Sequence, residues 1–312
     1  MCRSLIFVGF LFLFSPEASH GQELPIPEAS PPAIANCNFC VPDCSEECWT
    51  DNLTVFIGLD GAKQPQDVGI NALFGGRAAV NLGLQISRDW GLGVQVGTAI
   101  AASDAAVGVL EVVDGADSRT QSFTTLGLFQ RRNLGLHWGL VYDILHQRYY
   151  DDTTLHQLRG RVGAELTQCD QVGLAAMFAI GPKQNAQIGG TTVRLSPIDQ
   201  VAAYWSHRWQ SGGITEGWLG FADGHGEVIH VLPGNPRRKT APLFGSSLNL
   251  PLNDHLAVYG QANFILPPDS GTVDAYLGMV YTFGRGGPTR RNQYAPLLDV
   301  AGSPSFAVDL AR

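Results

Sequence analysis

Charge is scarce in this chain, and lysine is scarcest of all. Only Lys63, Lys183 and Lys239 occur in 312 residues, charged residues make up 15%, and the formal net charge is −8. Soluble domains carry about 25% charged residues. An acidic chain without a basic run also lacks the electrostatic footprint of a nucleic-acid binder. Long apolar runs are missing too. Beyond the N-terminus, glycine or a polar residue interrupts every hydrophobic stretch before the ~20 residues that a membrane-spanning helix needs. There is no Gly-x-Ser-x-Gly elbow, no helical His-Glu-x-x-His arrangement and no spaced calcium loop, which removes the usual sequence grounds for an enzyme or a metal site. No cofactor is expected. A hydrophobic content of 45% excludes wholesale disorder.

What is present begins with an address. Arg3 supplies a positive start, Leu5 to Phe14 an apolar run of about ten residues, and Ser19 and Gly21 small residues at a cleavage site. A signal peptide over residues 1–21 and a mature start near Gln22 are expected. No Leu-x-x-Cys lipid-attachment pattern accompanies it. The expected order is then a Pro- and Cys-rich periplasmic segment (22–52), a strand-rich region (53–283) and a C-terminal tail (284–312).

Alternation is the main signal in that central region. From residue 72, Ala72, Phe74, Gly76, Ala78, Val80, Leu82, Leu84 and Ile86 form one parity. Asn71, Leu73, Gly75, Arg77, Ala79, Asn81, Gly83 and Gln85 form the other. Side chains of a strand point alternately to opposite faces, so one face is apolar and the other polar and glycine-rich. Similar runs recur at Trp90–Ile100, Leu134–Ile144, His156–Leu166 and Leu256–Leu266. About twelve strands are expected, near 53–60, 71–87, 90–101, 119–131, 134–147, 155–168, 172–181, 191–209, 214–222, 242–250, 255–266 and 273–283.

Connection lengths decide what the strands build. Arg88-Asp89, Arg132-Asn133, Cys169-Asp170-Gln171, 210–213 and 251–254 are tight. In contrast, 61–70, 102–118, 148–154, 182–190, 223–241 and 267–272 are longer and mostly polar. Short turns alternating with long loops mark an all-β, antiparallel, up-and-down transmembrane β-barrel with an even strand number. The short turns and both termini then belong to the periplasm, and outer-membrane lipid is the expected partner. A four-stranded propeller blade also repeats at about 40 residues, but here each period holds two long strands, and no Gly-His…Trp-Asp signature repeats. Trp90, Trp209, Tyr281 and Phe283 near short turns, with Tyr149 and Tyr150 at the opposite end, suit aromatic girdles at two interfaces. His207 and Glu216 have apolar parity neighbours, which points to a rim position or a local bulge.

The stretch Phe56-Ile57-Gly58-Leu59-Asp60-Gly61-Ala62-Lys63-Gln64-Pro65-Gln66-Asp67, followed by Phe74-Gly75-Gly76-Arg77-Ala78-Ala79-Val80-Asn81 and Trp90-Gly91-Leu92-Gly93-Val94-Gln95, resembles uncharacterised exported proteins of planctomycete bacteria. These form a domain of unknown function similar to porin-like outer-membrane barrels. The resemblance covers about the first third of the barrel. It implies a fold and a location, and carries over no catalytic residues. Many outer-membrane barrels end in an aromatic residue on the last strand, whereas Phe283 is followed by residues 284–312. Either that tail is periplasmic or the strand assignment fails at that end.

Cys37-x2-Cys40-x3-Cys44-x3-Cys48 precedes the first strand. Four sulfurs so spaced could hold zinc or an iron–sulfur cluster. Export to an oxidising compartment favours disulfides instead. Cys2 leaves with the signal, so Cys169, in a predicted periplasmic turn, is a further disulfide candidate. His137, Asp143, His146, His156 and His255 are scattered, and His225 and His230 share a loop with Glu227, where a solvated loop is the simpler reading. On the polar face Asn71, Arg77, Asn81, Gln85, Gln95, His137, Arg159, Arg161, Glu165, Tyr259, Gln261 and Asn263 are expected to line a lumen. Such groups tune which solutes cross a pore, or tie strands across a closed lumen.

Passive passage of small polar solutes is the first functional expectation. A closed structural or recognition barrel is the second, and a soluble secreted β protein the third. The topology makes a direct forecast. An epitope within 102–118 or 223–241 is accessible to antibody on intact cells, and one beside Arg132-Asn133 is not; the opposite labelling inverts the arrangement.

Overall fold

In a computed structural model of the chain, residues 49–67, 72–106, 118–131, 135–188, 191–223, 240–266, 272–284 and 294–311 are described. The expected signal segment, the cluster Cys37, Cys40, Cys44 and Cys48, Asn71, and the loop with His225 and His230 lie outside the described residues.

The strands in chain order are β1 (Leu53–Lys63), β2 (Leu73–Ser87), β3 (Leu92–Ala105), β4 (Ser118–Arg131), β5 (Leu136–Arg148), β6 (Asp152–Glu165) and β7 (Asp170–Ile180). A hairpin of β8 (Gln184–Ile188) and β9 (Thr191–Pro197) follows, then β10 (Asp199–Arg208), β11 (Ile214–Asp223), β12 (Thr240–Pro251), β13 (Leu256–Ile265) and β14 (Thr272–Thr282). Last comes β15 (Val308–Ala311). Twelve of these close an antiparallel barrel in the order β1-β14-β13-β12-β11-β10-β7-β6-β5-β4-β3-β2. Closure runs through β1 and β14, from Thr54↔Thr282 to Lys63↔Val273. A closed barrel leaves no edge strand and pairs its backbone groups between strands, as a membrane-spanning sheet must.

The alternation resolves into two faces. On β5, Leu136 and Leu140 are exposed, while His137, Val141, Asp143 and Leu145 are buried. Large apolar side chains cover the outer wall on strand after strand: Ile57, Phe74, Ile100, Leu128, Val162, Leu174, Phe178, Leu219, Phe244 and Leu277 are all exposed, Leu219 at 70%. A wall so apolar, wrapped around a polar interior, belongs to a transmembrane barrel. Trp90, Trp205, Trp209, Tyr281 and Phe283 are exposed on the outer side towards the short turns, where amphipathic rings meet headgroups. His207 joins them, in edge contact with Trp209 at 4.8 Å.

Four expectations need correction. Residues 191–209 do not form one strand. Pro197 lacks an N–H and ends β9, and the Ile198 N–H goes to the Ala307 carbonyl at 2.9 Å. The stretch 182–190 was expected as a loop, yet it carries β8. Tyr149 and Tyr150 belong to no outer girdle: Tyr149 is buried, and Tyr150 donates to the Gln66 carbonyl at 3.2 Å.

The fourth correction is the largest. Residues 294–311 of the C-terminal tail lie inside the barrel, and β14 is its last wall strand. This segment threads the barrel. Tyr294 lies beside Ser87 at the short-turn end, donating to its carbonyl at 3.5 Å. From there the chain rises through the lumen, and β15 pairs with β9 at the long-loop end, Val308↔Pro197 to Ala311↔Arg194. The described C-terminal end therefore lies opposite the start of β1. β8, β9 and β15 form a three-stranded sheet. Its Ala186, Val193, Leu195, Val308 and Leu310 pack with Phe123, Leu145, Leu155 and Phe306 in one buried cluster.

The outer wall generates a prediction. Leu219→Arg near the middle of β11 should lower unfolding free energy in lipid vesicles by about 2–4 kcal/mol, read from urea transitions. A change within about 0.5 kcal/mol, ordinary for a water-exposed surface site, would support a soluble barrel instead.

Candidate functional site

The lumen is the candidate site, and its occupant is the chain itself. Residues 294–307 cross it without joining the barrel ladder, so their peptide groups need other partners. Wall side chains supply them. Arg131 donates to the carbonyls of Ala295 and Pro296, the latter at 3.1 Å. Gln95 acts as a strand would: its amide donates to the Leu298 carbonyl, and its oxygen accepts the Leu298 N–H at 3.2 Å. Asn81 adds a second donor to that carbonyl at 3.0 Å. Arg159 reaches the Asp299 carbonyl at 2.6 Å, and Arg77 reaches Val300 and Ala301 at 3.1 and 2.8 Å. Further up, Gln64, Asn263 and Gln157 donate to Ser303, Pro304 and Ser305 at 3.3, 2.9 and 2.9 Å. The Ala301 N–H goes to the Thr125 hydroxyl at 3.0 Å.

Glycine makes the seat. A Cβ at Gly97 would stand 2.4 Å from a Val300 methyl, and one on the tail's Gly302 would stand 2.1 Å from the Arg77 guanidinium. The glycine-rich inner parity thus clears a path for the tail backbone.

Two arginines of the lumen are paired with carboxylates. Asp143 accepts both Arg159 nitrogens, Nε at 3.0 and Nη2 at 3.2 Å, with Thr125 at 2.7 Å and Gln157 at 3.0 Å. Both partners are almost fully buried, so the pair persists only because its remaining lone pairs are filled. Arg161 forks onto Glu216 at 2.8 and 2.6 Å and stacks over Tyr204 at 3.7 Å. Arg77 lies over Tyr276 and Phe123 at 5.0 and 5.5 Å. At the long-loop end a chain of amides closes the top: Gln121 to Gln147, Gln147 to Gln66, Gln66 to Gln64, and Gln64 to Asp274. Asp67 sits under this lid 3.4 Å from Arg119. Burial pushes its carboxyl above the usual range, outweighing the pull of Arg119 downward.

The residues expected to line the lumen divide by partner. Arg77, Asn81, Gln95, Arg159 and Asn263 hold the tail backbone, and Tyr259 donates to the Asp299 carboxylate. Others bond within the wall: His137 with Tyr204 at 2.8 Å, Arg161 with Glu216, and Tyr276 donating to Gln261 at 2.8 Å. Gln85 and Glu165 stand exposed towards the short turns, where Gln85 accepts from Arg88 and Glu165 from Gln171, each at 3.4 Å. Glu216 stands two residues into β11 from the short turn, opposite Ser206, and no bulge interrupts the β10–β11 register. Leu219 and Phe221 face out, so Glu216 faces in beside Trp218. His207 does face out, bonded to Asp170 at 2.8 Å. Cys169 lies in the β6–β7 turn, its carbonyl accepting from the Arg208 N–H at 2.7 Å.

Sequence reasoning missed Gln64, Thr125, Arg131, Asp143 and Gln157 as partners of the tail and its supports. Thr125, Asp143 and Gln157 share inward parity on recognised strands, and that signal could have found them. The alternation Phe306, Val308, Leu310 could likewise have marked the end of the tail as strand. Among the described residues no group of three His, Cys, Asp or Glu side chains is arranged to hold a metal. The described histidines pair with Tyr204, Tyr142, Thr154, Asp170 and the Thr282 carbonyl, and none forms a Ser–His–acid relay.

Space remains beside the tail, mostly in the half towards the short turns, with one cavity running to Gln200, Leu243 and Pro304 in the other half. Three cavities of about 230, 110 and 270 Å³ all border Tyr259 and Asp299. The close approach at Gly97 generates a prediction. Gly97→Val should overpack the seat, cost about 1–3 kcal/mol, and make the tail susceptible to proteinase K in detergent, with C-terminal trimming read by mass spectrometry. The unsubstituted protein should resist under the same conditions.

A search of curated proteins finds no match. Among solved structures, a protein from a study of the in-meso crystallisation of membrane proteins is similar at 10% identity. The match covers 83% of this chain and 99% of that one, with a TM-score of 0.50. That likeness shows the fold alone. The translocator domain of the autotransporter NalP from Neisseria meningitidis matches at 11% identity over 75% of this chain and 89% of its own, TM-score 0.49. The TodX monoaromatic hydrocarbon channel, as a deltaS2 mutant, matches at 9% identity over 74% and 89%, TM-score 0.47. Residues 52–308 match a family of unknown function, DUF6666, and the chain belongs to that family.

Proposed function

We propose that the chain is an outer-membrane β-barrel held closed by its own C-terminal segment, serving the cell envelope as a plugged barrel rather than an open pore. The observation that carries this reading is the threaded tail, whose carbonyls from Ala295 to Ser305 take wall donors that an open channel would present to water. The apolar outer wall and the alternating connections support insertion in lipid. A signal cleaved near Gln22 and disulfides among Cys37, Cys40, Cys44, Cys48 and Cys169 fit the same compartment. Cys169 stands at the short-turn end, where β1 also begins.

A second reading, passage of small polar solutes, draws on the space beside the tail and requires the tail to move. Planar-bilayer recording separates the two. The full chain should give no discrete conductance steps, and a chain lacking residues 294–312 should give them. If the shortened chain does not fold, Gly97→Val supplies the displaced tail within the whole protein. Steps of equal size in the full chain would overturn the closed reading and favour the porin-like one.

A further inference from the structure

The two halves of the lumen are filled differently. Towards the long loops, Phe123, Leu145, Leu155, Val308 and Leu310 make a dry core against β9 and the tail. Ile198, Ala202, Leu243 and Ile265 form another. Towards the short turns the tail leaves one wall uncovered. Three cavities beside the tail share Tyr259 and Asp299, and the largest of them, about 270 Å³, reaches the turn-side residues Arg131, Cys169, Arg208 and Asn249. This cavity lies on the turn side of both dry clusters. That cavity alone comes close to the lower end of small-molecule sites, about 300–1,000 Å³.

The chemistry of that space is uneven. Arg159 is neutralised by Asp143 and Arg161 by Glu216, and Asp299 takes the Tyr259 hydroxyl. Arg208 has no such partner. It faces inward on β10, two residues beyond buried Ser206, and lines the 270 Å³ cavity. Its Nε is buried without an acceptor, and no carboxylate pairs with it among the described residues. A half-buried guanidinium left unpaired is costly, and its planar fork matches a carboxylate in two parallel hydrogen bonds. The surrounding wall offers Ser206, Ser247, Asn249 and Gln171, which suit hydroxyl groups, and its further carboxylate, Glu165, accepts from Gln171 at 3.4 Å.

We infer that the turn-side half of the lumen is a binding chamber for a small hydroxylated organic acid, whose carboxylate docks on Arg208. The inference rests on the closed reading in one respect: the resident tail, through Leu297 and Asp299, is one wall of the chamber. The anchor is distinct from the groups that hold the tail, so the chamber stays formed while the barrel is plugged.

Calorimetric titration of the full chain in detergent at low ionic strength, with gluconate as the probe, tests this. Gluconate should bind, glucose should bind at least about tenfold more weakly, and Arg208→Gln should weaken gluconate by about tenfold or more, the scale of a lost charge-assisted hydrogen-bond pair. Heat-modifiable migration reports that each variant is folded. Should Arg208→Gln fail to fold, Arg208→Lys keeps the charge, loses the fork, and should still weaken binding several-fold. Arg148→Gln, exposed at the opposite end, should leave the affinity unchanged. Absence of gluconate binding, equal binding to the folded Arg208 variants, or inorganic phosphate bound as tightly as gluconate would each overturn the assignment. Bilayer conductance decides closure separately, so failure of either reading is visible without the other.

Discussion

A peptide backbone crossing a lipid-enclosed space must have every N–H and C=O answered, and the rest of this structure depends on how that is met twice over. The wall answers it by strand pairing closed through β1 and β14. The tail cannot, because every barrel strand already has two neighbours. Its peptide groups are answered by side chains: amides from Gln95, Asn81, Asn263, Gln157 and Gln64, and guanidinium groups from Arg77, Arg131 and Arg159. Irregular backbone is tolerated at membrane depth only where protein or a wetted cavity surrounds it. The polar inner face is therefore the tail's hydrogen-bonding partner first.

That requirement explains features which otherwise look unrelated. Arginine serves where one side chain must reach two successive carbonyls, as Arg77 and Arg131 do, because its fork carries several donors in a fixed plane. The charge so buried must be balanced. Arg159 meets Asp143, whose carboxylate is further filled by Thr125 and Gln157. Breaking one member of such a pair leaves an uncompensated charge, while the intact pair adds little by itself. Its value is to fix where the tail runs. Glycine on the inner parity does the complementary work of leaving room.

Filling is graded from end to end. At the long loops the tail becomes a strand, β15 joins β9, and apolar side chains meet in a dry cluster. At the short turns the tail is bare backbone held by long polar side chains, and packing is incomplete. Cavities persist there because groups such as Arg161, Glu216 and Tyr259 keep hydration or partner demands that apolar packing cannot meet. The lumen is therefore densely packed towards one end and leaves more space towards the other.

The sequence alone determined the barrel. Alternation along 72–86, 134–144 and 156–166 assigns faces locally, because strand side chains have a period of two, and connection lengths then pair neighbours into hairpins. It also picked out Arg77, Asn81, Gln95, Arg159 and Asn263 as inward. It left unseen what they bind. Arg77 and Val300 are separated by 223 residues, and a tail read as 284–312 carries no period over its irregular part. The split of 191–209 at Ile198 and the inward Glu216 were hidden for the same reason: each is decided by a partner on another element. Only tertiary structure put the tail inside, since a segment that borrows hydrogen bonds from distant side chains announces itself in neither its own composition nor its own rhythm.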